Sequence, residues 1–177
     1  MKTRLMVKRK QGTHVELGSG AISSNRKRIP GKMSIDVRVK SKSRTHKQID
    51  FIEGLSKLRD NSIDTIPANA SLGYYTKNAG QIGILRKTPL IVSSVEGQKL
   101  VEYTAKVLRL AHQKLKKEGK VIVRIDEDFI EAFIHAVKHS PFTQVSIQEL
   151  EKKHLNTPWL KIIGAEKKVF EVTLLKS

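Results

Sequence analysis

Residues 12–20 read GTHVELGSG, a half-apolar run that passes straight into a glycine-rich turn. Residues 13–17 predict a short strand, and Gly18-Ser19-Gly20 ends it. Glycines at 18 and 20 permit a sharp turn and a close approach of backbone to ligand. A plain strand-to-loop turn uses the same residues. A nucleotide-phosphate loop does not fit, because it needs a Gly-Lys-Ser/Thr ending and residues 19–24 read SGAISS.

Working outward, residues 33–37 (MSIDV) predict a second strand with Asp36 near its end, and 48–52 (QIDFI) a third that holds Asp50. Residues 62–68 (SIDTIPA) predict a fourth, with Pro67 expected to end its hydrogen bonding. Between them, 21–32 is polar and basic, with little room for a crossover helix. Residues 40–47 (KSKSRTHK) predict a basic loop, and 55–61 a turn or one helical turn. Residues 69–94 hold Gly73, Gly80, Gly83 and Pro89 and predict a long, partly ordered loop.

The second half is more regular. Leu100, Val101, Thr104, Val107, Leu108, Ala111 and Leu115 recur at helical spacing, with Lys116-Lys117 in the last turns and Gly119 as the cap. Then come a strand over 120–125 and a helix over 127–139 that buries Phe129, Ile130, Phe133, Ile134 and Val137 and stops at Pro141. A strand over 142–147, a short helix or turn over 148–153, a strand or buried linker over 159–163 and a last strand over 169–175 complete the chain. Helices between strands imply an α/β fold, a mostly parallel sheet with helices on its faces. The last two strands, with no long helix between them, imply a C-terminal antiparallel pair. Residues 1–12 are expected to form a basic tail and 13–177 a single domain.

The 34 Lys and Arg against 17 Asp and Glu give a formal charge of +17. Residues 1–47 hold 14 of the bases and 2 of the acids, so most of the excess is N-terminal. The clusters Lys8-Arg9-Lys10, Arg26-Lys27-Arg28 and Lys40, Lys42, Arg44, Lys47 point to a polyanion, because Lys and Arg contact phosphates without reading sequence. No basic amphipathic helix or apolar run of membrane length favours a membrane partner. The chain has no cysteine, which fits a reducing compartment and rules out disulfides and thiolate chemistry. His135 and His139 lie four apart but outside any HExxH sequence, so no metal is expected.

VELGSG, SIDV and QIDFIEGLSKLRDNSIDTIPAN, in that order, resemble the class I S-adenosylmethionine-dependent methyltransferases, most closely the small members in which a short loop replaces much of the first helix. LKKEGKVIVRI, SPFTQVSI and KKVFEVTLLKS resemble the later strands of that family. The resemblance spans about residues 13–175. It implies a Rossmann-like methyltransferase fold, a seven-stranded, mostly parallel sheet with one reversed strand. It implies S-adenosyl-L-methionine as cofactor, with the turn at Gly18 and Gly20 beneath its methionine and ribose, Asp36 on the ribose hydroxyls and Asp50 at the adenine amino group. Glu16 is expected to support the loop or to stand as an edge charge. Phe51 packs on the adenine or in the core. Asp36 has an Asx turn or a salt bridge to Arg38 as its ordinary alternative.

The acceptor side is less defined. IPAN is not an Asn-Pro-Pro-aromatic amino-methylation motif. Asn69, Tyr74 and Tyr75 are the candidate catalytic residues, with the two rings able to stack on a base or simply to pack the loop. Besides a methyltransferase that acts on a protein or small molecule instead of a nucleic acid, two function classes lead. One is a methyltransferase-like protein that acts on or binds nucleic acid, RNA first. The other is an inactive relative that serves as a nucleic-acid-binding or structural subunit of a larger nucleoprotein or virion assembly. Either is expected to be intracellular, cytoplasmic or virion-associated, with the nucleus as an alternative.

Overall fold

The computed structural model describes residues 13–18, 32–35, 46–47, 49–69, 75–76, 80–81, 91–151 and 166–177. The chain forms β1 (His14–Leu17), β2 (Lys32–Ile35), β3 (His46–Lys47), α1 (Phe51–Ser56), β4 (Ile63–Asn69), β5 (Tyr75–Thr76) and β6 (Gly80–Gln81). It continues with α2 (Val95–Lys114), β7 (Leu115–Asp126), α3 (Ile130–Lys138), β8 (Gln144–Glu149) and β9 (Val169–Leu175).

Seven strands make one sheet in the order β3-β2-β1-β4-β7-β9-β8. The pairs from β3 to β7 are parallel, and β9 runs antiparallel to both neighbours, so it alone is reversed. β5 and β6 form a separate antiparallel pair. The expected α/β sheet with a C-terminal antiparallel pair is the observed one.

One face of the sheet is apolar and buried. Ile66 and Ala68 of β4, Val121, Val123 and Ile125 of β7, and Val172 and Leu174 of β9 alternate with half-exposed residues. They share a core with Leu55 of α1, Leu100, Val107, Leu108 and Ala111 of α2, and Phe133 and Val137 of α3. α1 meets α2 and α2 meets α3, so the three helices lie side by side over this face. Glycine sets one spacing. A Cβ on Gly54 would stand 2.7 Å from a side-chain carbon of Ile35, so its absence lets α1 settle onto β2.

Several local expectations give way to stronger constraints. Of the strand expected over 48–52, the described residues 49–52 are not a strand, because the Asp50 carboxylate accepts the Ile52 N–H at 2.9 Å and caps a helix that begins at Phe51. The third strand lies earlier, at His46–Lys47, inside the stretch expected to be a loop. Pro67 does not end β4; the ladder to β7 continues through Pro67↔Ile122 to Asn69↔Arg124, at the cost of one donor. α2 stops at Lys114 rather than Gly119. Leu115 is extended and fully buried, Lys116-Lys117 stand in β7, and the register slips between Ile63↔Leu115 and Thr65↔Lys120. Burial of Leu115 thus outweighs helix propensity. The second strand begins at Lys32, one residue before the expected start, and is described to Ile35, with residues 36–37 outside the described residues; β8 reaches Glu149 where a helix or turn was expected. α3 buries Phe133 and Val137 as expected, along with Ala132 and Ala136, but leaves Ile130 and Ile134 half-buried. The stretches 1–12, 21–31 and 159–163 lie outside the described residues, and with them the proposed tail, the shortened first helix and the extra strand.

Candidate functional site

In an open α/β sheet, ligands bind beyond the carboxyl ends of the strands where the winding reverses. Here the chain leaves β1 for β2 on one side while β4 lies on the other, so that point falls between β1 and β4. Gly18 follows β1 with φ 66, in the left-handed region where a side chain would be strained. Its N–H is fixed to Ile35 O at 2.8 Å. The turn therefore has a defined path at the carboxyl end of β1, held to β2.

The register extends this edge. β1 pairs with β4 at His14↔Thr65, so the turn at Gly18 and the end of β4 at Asn69 lie at the same, carboxyl, side of the sheet. Asn69 in turn pairs with Arg124. Asn69 and Arg124 thus mark one level across β4 and β7. Beside Gly18, Glu16 is buried with 7% of its surface exposed. Arg124 is held by Glu171 across the β7–β9 pair, Nε to carboxylate 2.9 Å.

Asp50 is buried at the start of α1, shortly after β3. One carboxylate oxygen caps α1, and the other accepts the Tyr103 hydroxyl at 2.8 Å. A carboxylate offers about four acceptor positions, so capacity for a further donor remains. Phe51, which follows it, is 3% exposed and belongs to the core cluster. Its ring packs inside the fold.

Beyond β7 stands a group the sequence reading missed. Asp126 is 2% exposed and accepts the Asp128 N–H, and Asp128 pairs with Lys167. Burial works against the Lys167 charge, yet the bond to Asp128 and the nearby Asp126 and Glu166 carboxylates raise its pKa above the ordinary lysine value. The signal available was IDED directly after an apolar strand, a place where acids collect at the helix start that follows.

The other sequence candidates divide into two groups. Gly20, Asp36, Tyr74, Lys8, Arg9, Lys10, Arg26, Lys27, Arg28, Lys40, Lys42 and Arg44 lie outside the described residues. Asn69 ends β4, Tyr75 begins the β5–β6 pair against α2, and Lys47 ends β3, so their backbones are placed. A groove of about 780 Å³ opens elsewhere, between α2 and α3, lined among others by Val101, Ala105, Arg109, Glu131, His135 and His139. It sits on the helical layer, away from the strand ends. Among the described residues, no helix is long and apolar enough to cross a membrane.

The single reversed strand at β9, in a sheet that otherwise winds outward from β1 and β4, decides the architecture. The fold is that of the class I S-adenosylmethionine-dependent methyltransferases. Solved structures agree. A SAM-dependent methyltransferase from Archaeoglobus fulgidus superposes with a TM-score of 0.54 at 11% identity, over 93% of this chain and 86% of its own. Geranyl diphosphate C-methyltransferase from Streptomyces coelicolor A3(2) superposes with a TM-score of 0.54 at 7% identity, over 94% of this chain and 73% of its own. Identities this low carry the fold and nothing finer. No protein-family model and no curated protein matches the chain in sequence.

Proposed function

We propose that this methyltransferase-fold chain binds S-adenosyl-L-methionine at the β1–β4 crevice and acts on a nucleic acid, RNA first. The observation that carries the reading is the left-handed turn at Gly18, at the carboxyl end of β1 beside β4. It offers a glycine-lined floor where this architecture takes ligands. Gly18 and Gly20 would run beneath the cofactor, Asp36 would accept its ribose hydroxyls, and Asp50 would meet its adenine. Glu16 would support the turn from inside. Phe51, being core, would act through the position of α1 instead of by stacking.

The cofactor, when bound, supplies a methyl group on a sulfonium. The chain then has to hold an acceptor in line with that methyl and keep the site dry. Asn69, Tyr74 and Tyr75 would line the acceptor site. The basic clusters of residues 1–47 supply the attraction for a polyanion.

A second reading has one observation in its favour. Both oxygens of Asp50 already serve the fold, one on α1 and one on Tyr103. A chain that kept the fold and the basic surface without transfer would look the same there. Titration calorimetry with S-adenosylmethionine separates the two. Binding that weakens in Asp36→Ala supports the first reading, and no heat at millimolar cofactor supports the second. Labelled methyl transfer to an RNA pool then tests the acceptor class.

A further inference from the structure

β8 is an outer edge of the sheet, and among the described residues nothing pairs with its far side. All six of its residues are exposed, including Val145 at 42% and Ile147 at 50%. Leu150 donates its N–H to Val169 O at 2.8 Å, continuing the Glu149↔Phe170 register. Backbone groups of an antiparallel strand alternate in direction. Those of Gln144, Ser146 and Gln148 therefore point to β9, and those of Val145, Ile147 and Glu149 point away from the sheet. Edge strands usually carry a charge, a proline or a bulge that blocks further pairing. Residues 144–148 carry no charge and no proline, and their register with β9 is unbroken.

Those five residues read Gln-Val-Ser-Ile-Gln, the same chemical pattern in both directions about Ser146. We propose that β8 is a homodimer interface, in which two copies pair β8 with β8 antiparallel about a two-fold axis through Ser146. A two-fold interface must be complementary to itself, and this strand is. Val145 falls opposite Ile147 of the partner subunit, and the outward backbone groups of both make the hydrogen-bonded pairs. Ser146 meets Ser146 of the partner subunit in the non-hydrogen-bonded pair, with Cα atoms about 4.5 Å apart. Gln144 lies opposite Gln148 of the partner subunit. Val145 and Ile147 stand on the face of their register partners Leu174 and Val172, so the buried apolar row would run on across the axis.

Charge selects a second copy as the occupant. A chain of +17, most of it in residues 1–47, repels its own copies there, whereas residues 144–148 bring two copies together without like charges facing each other. The nearest acid, Glu149, would lie opposite Thr143 and is 3.5 Å from Lys168.

The chain has no cysteine, so Ser146→Cys introduces a single thiol. In the proposed register its Cα separation suits a disulfide, while Gln144→Cys and Gln148→Cys stand about 13 Å from their own copies and do not. Sedimentation equilibrium should show wild-type mass rising toward the dimer with concentration, and more so at higher salt as self-repulsion is screened. Mild oxidation should convert Ser146→Cys to a covalent dimer at least several-fold faster than the two glutamine variants. Ile147→Lys should return the protein to monomer, with the melting curve of the wild type at dilutions where that too is monomeric. A monomer at every concentration with no Ser146→Cys cross-link overturns the proposal. So does equal cross-linking at all three positions, which would indicate random collision or another occupant of the edge.

Discussion

Tyr103 donates its hydroxyl to Asp50 across 2.8 Å, a buried bond between α2 and the cap of α1. The same carboxylate holds Ile52 N–H, so one acid fixes two helices beside the carboxyl end of β3. Tyr103→Phe removes the donor and leaves a buried carboxylate oxygen without it. Hydrogen bonds to charged groups contribute about 1.5–3 kcal/mol, so the variant should melt several degrees lower. If Asp50 also meets the cofactor as proposed, calorimetry on the same variant should show weaker S-adenosylmethionine binding at a temperature where the fold is intact.

Two helical glycines should answer differently to alanine. At Gly97 a Cβ would stand 2.2 Å from Ile91 O and 2.8 Å from Val92 O, both backbone atoms of the turn that starts α2. Ser94 also caps that helix through Gly97 N–H. The turn cannot yield without losing the cap, so Gly97→Ala should be strongly destabilising, by about 2 kcal/mol or more. At Gly54 the obstacle is the Ile35 side chain, which can adjust, and alanine gains about 1 kcal/mol of helix propensity. Gly54→Ala should therefore cost less. Denaturant midpoints of the two variants check the order.

Acid should loosen the sheet through Asp64. The hydrogen bond from Lys116, at 2.9 Å, is the main reason its pKa lies below the ordinary value, with Thr13 N–H adding to it against a desolvation penalty. A lowered folded pKa means that the unfolded chain binds the proton first. The contribution is complete above the ordinary Asp value near 3.8 and is lost as pH falls through the folded value. His112 acts at higher pH. Burial, and then Lys176, lower its pKa below 6.5, so stability should already decline as pH falls from above 6.5 toward the folded value. The edge contact of His112 with Phe142, centroids 5.1 Å apart, keeps its ring within the packing. Asp64→Asn should flatten the acid limb of a melting-temperature profile, and His112→Gln the limb near neutrality.

The alternation of β9 and the apolar spacing of α2 were legible because each reports a single periodic face. β3 was not. His46–Lys47 is two residues long and gains its place by pairing with Ser34 and Ile35, a contact distant in sequence. The end of α2 was misread for a related reason. Lys116, Lys117 and Gly119 look like a helix terminus, but Leu115 is required in the core and Lys116 is drawn to Asp64, 52 residues earlier. Arg124 escaped notice because its partner Glu171 lies 47 residues away and its neighbour Asn69 is set by register. Local signals describe elements well; the site is assembled from pairings between them.

The basic region carries the last prediction. Residues 1–47 have a net charge of +12, against +5 for the 130 residues that follow. If phosphate contacts supply the affinity, replacing Arg26, Lys27 and Arg28 with Glu should weaken binding to unrelated RNA sequences alike, since such contacts carry no base code. The dependence of affinity on salt should also become shallower, by about 0.7 per lost contact on single strands and about 0.9 on duplex DNA. Fluorescence anisotropy across a salt series measures both. Unchanged affinity and slope would assign these residues to an ordinary solvated loop. Salt also separates this binding from self-association. Added salt should release the nucleic acid, whereas it should favour pairing of two +17 chains through the uncharged residues of β8. A single titration that moved both in the same direction would mean that nucleic acid bridges the copies and that charge, not the strand edge, brings them together.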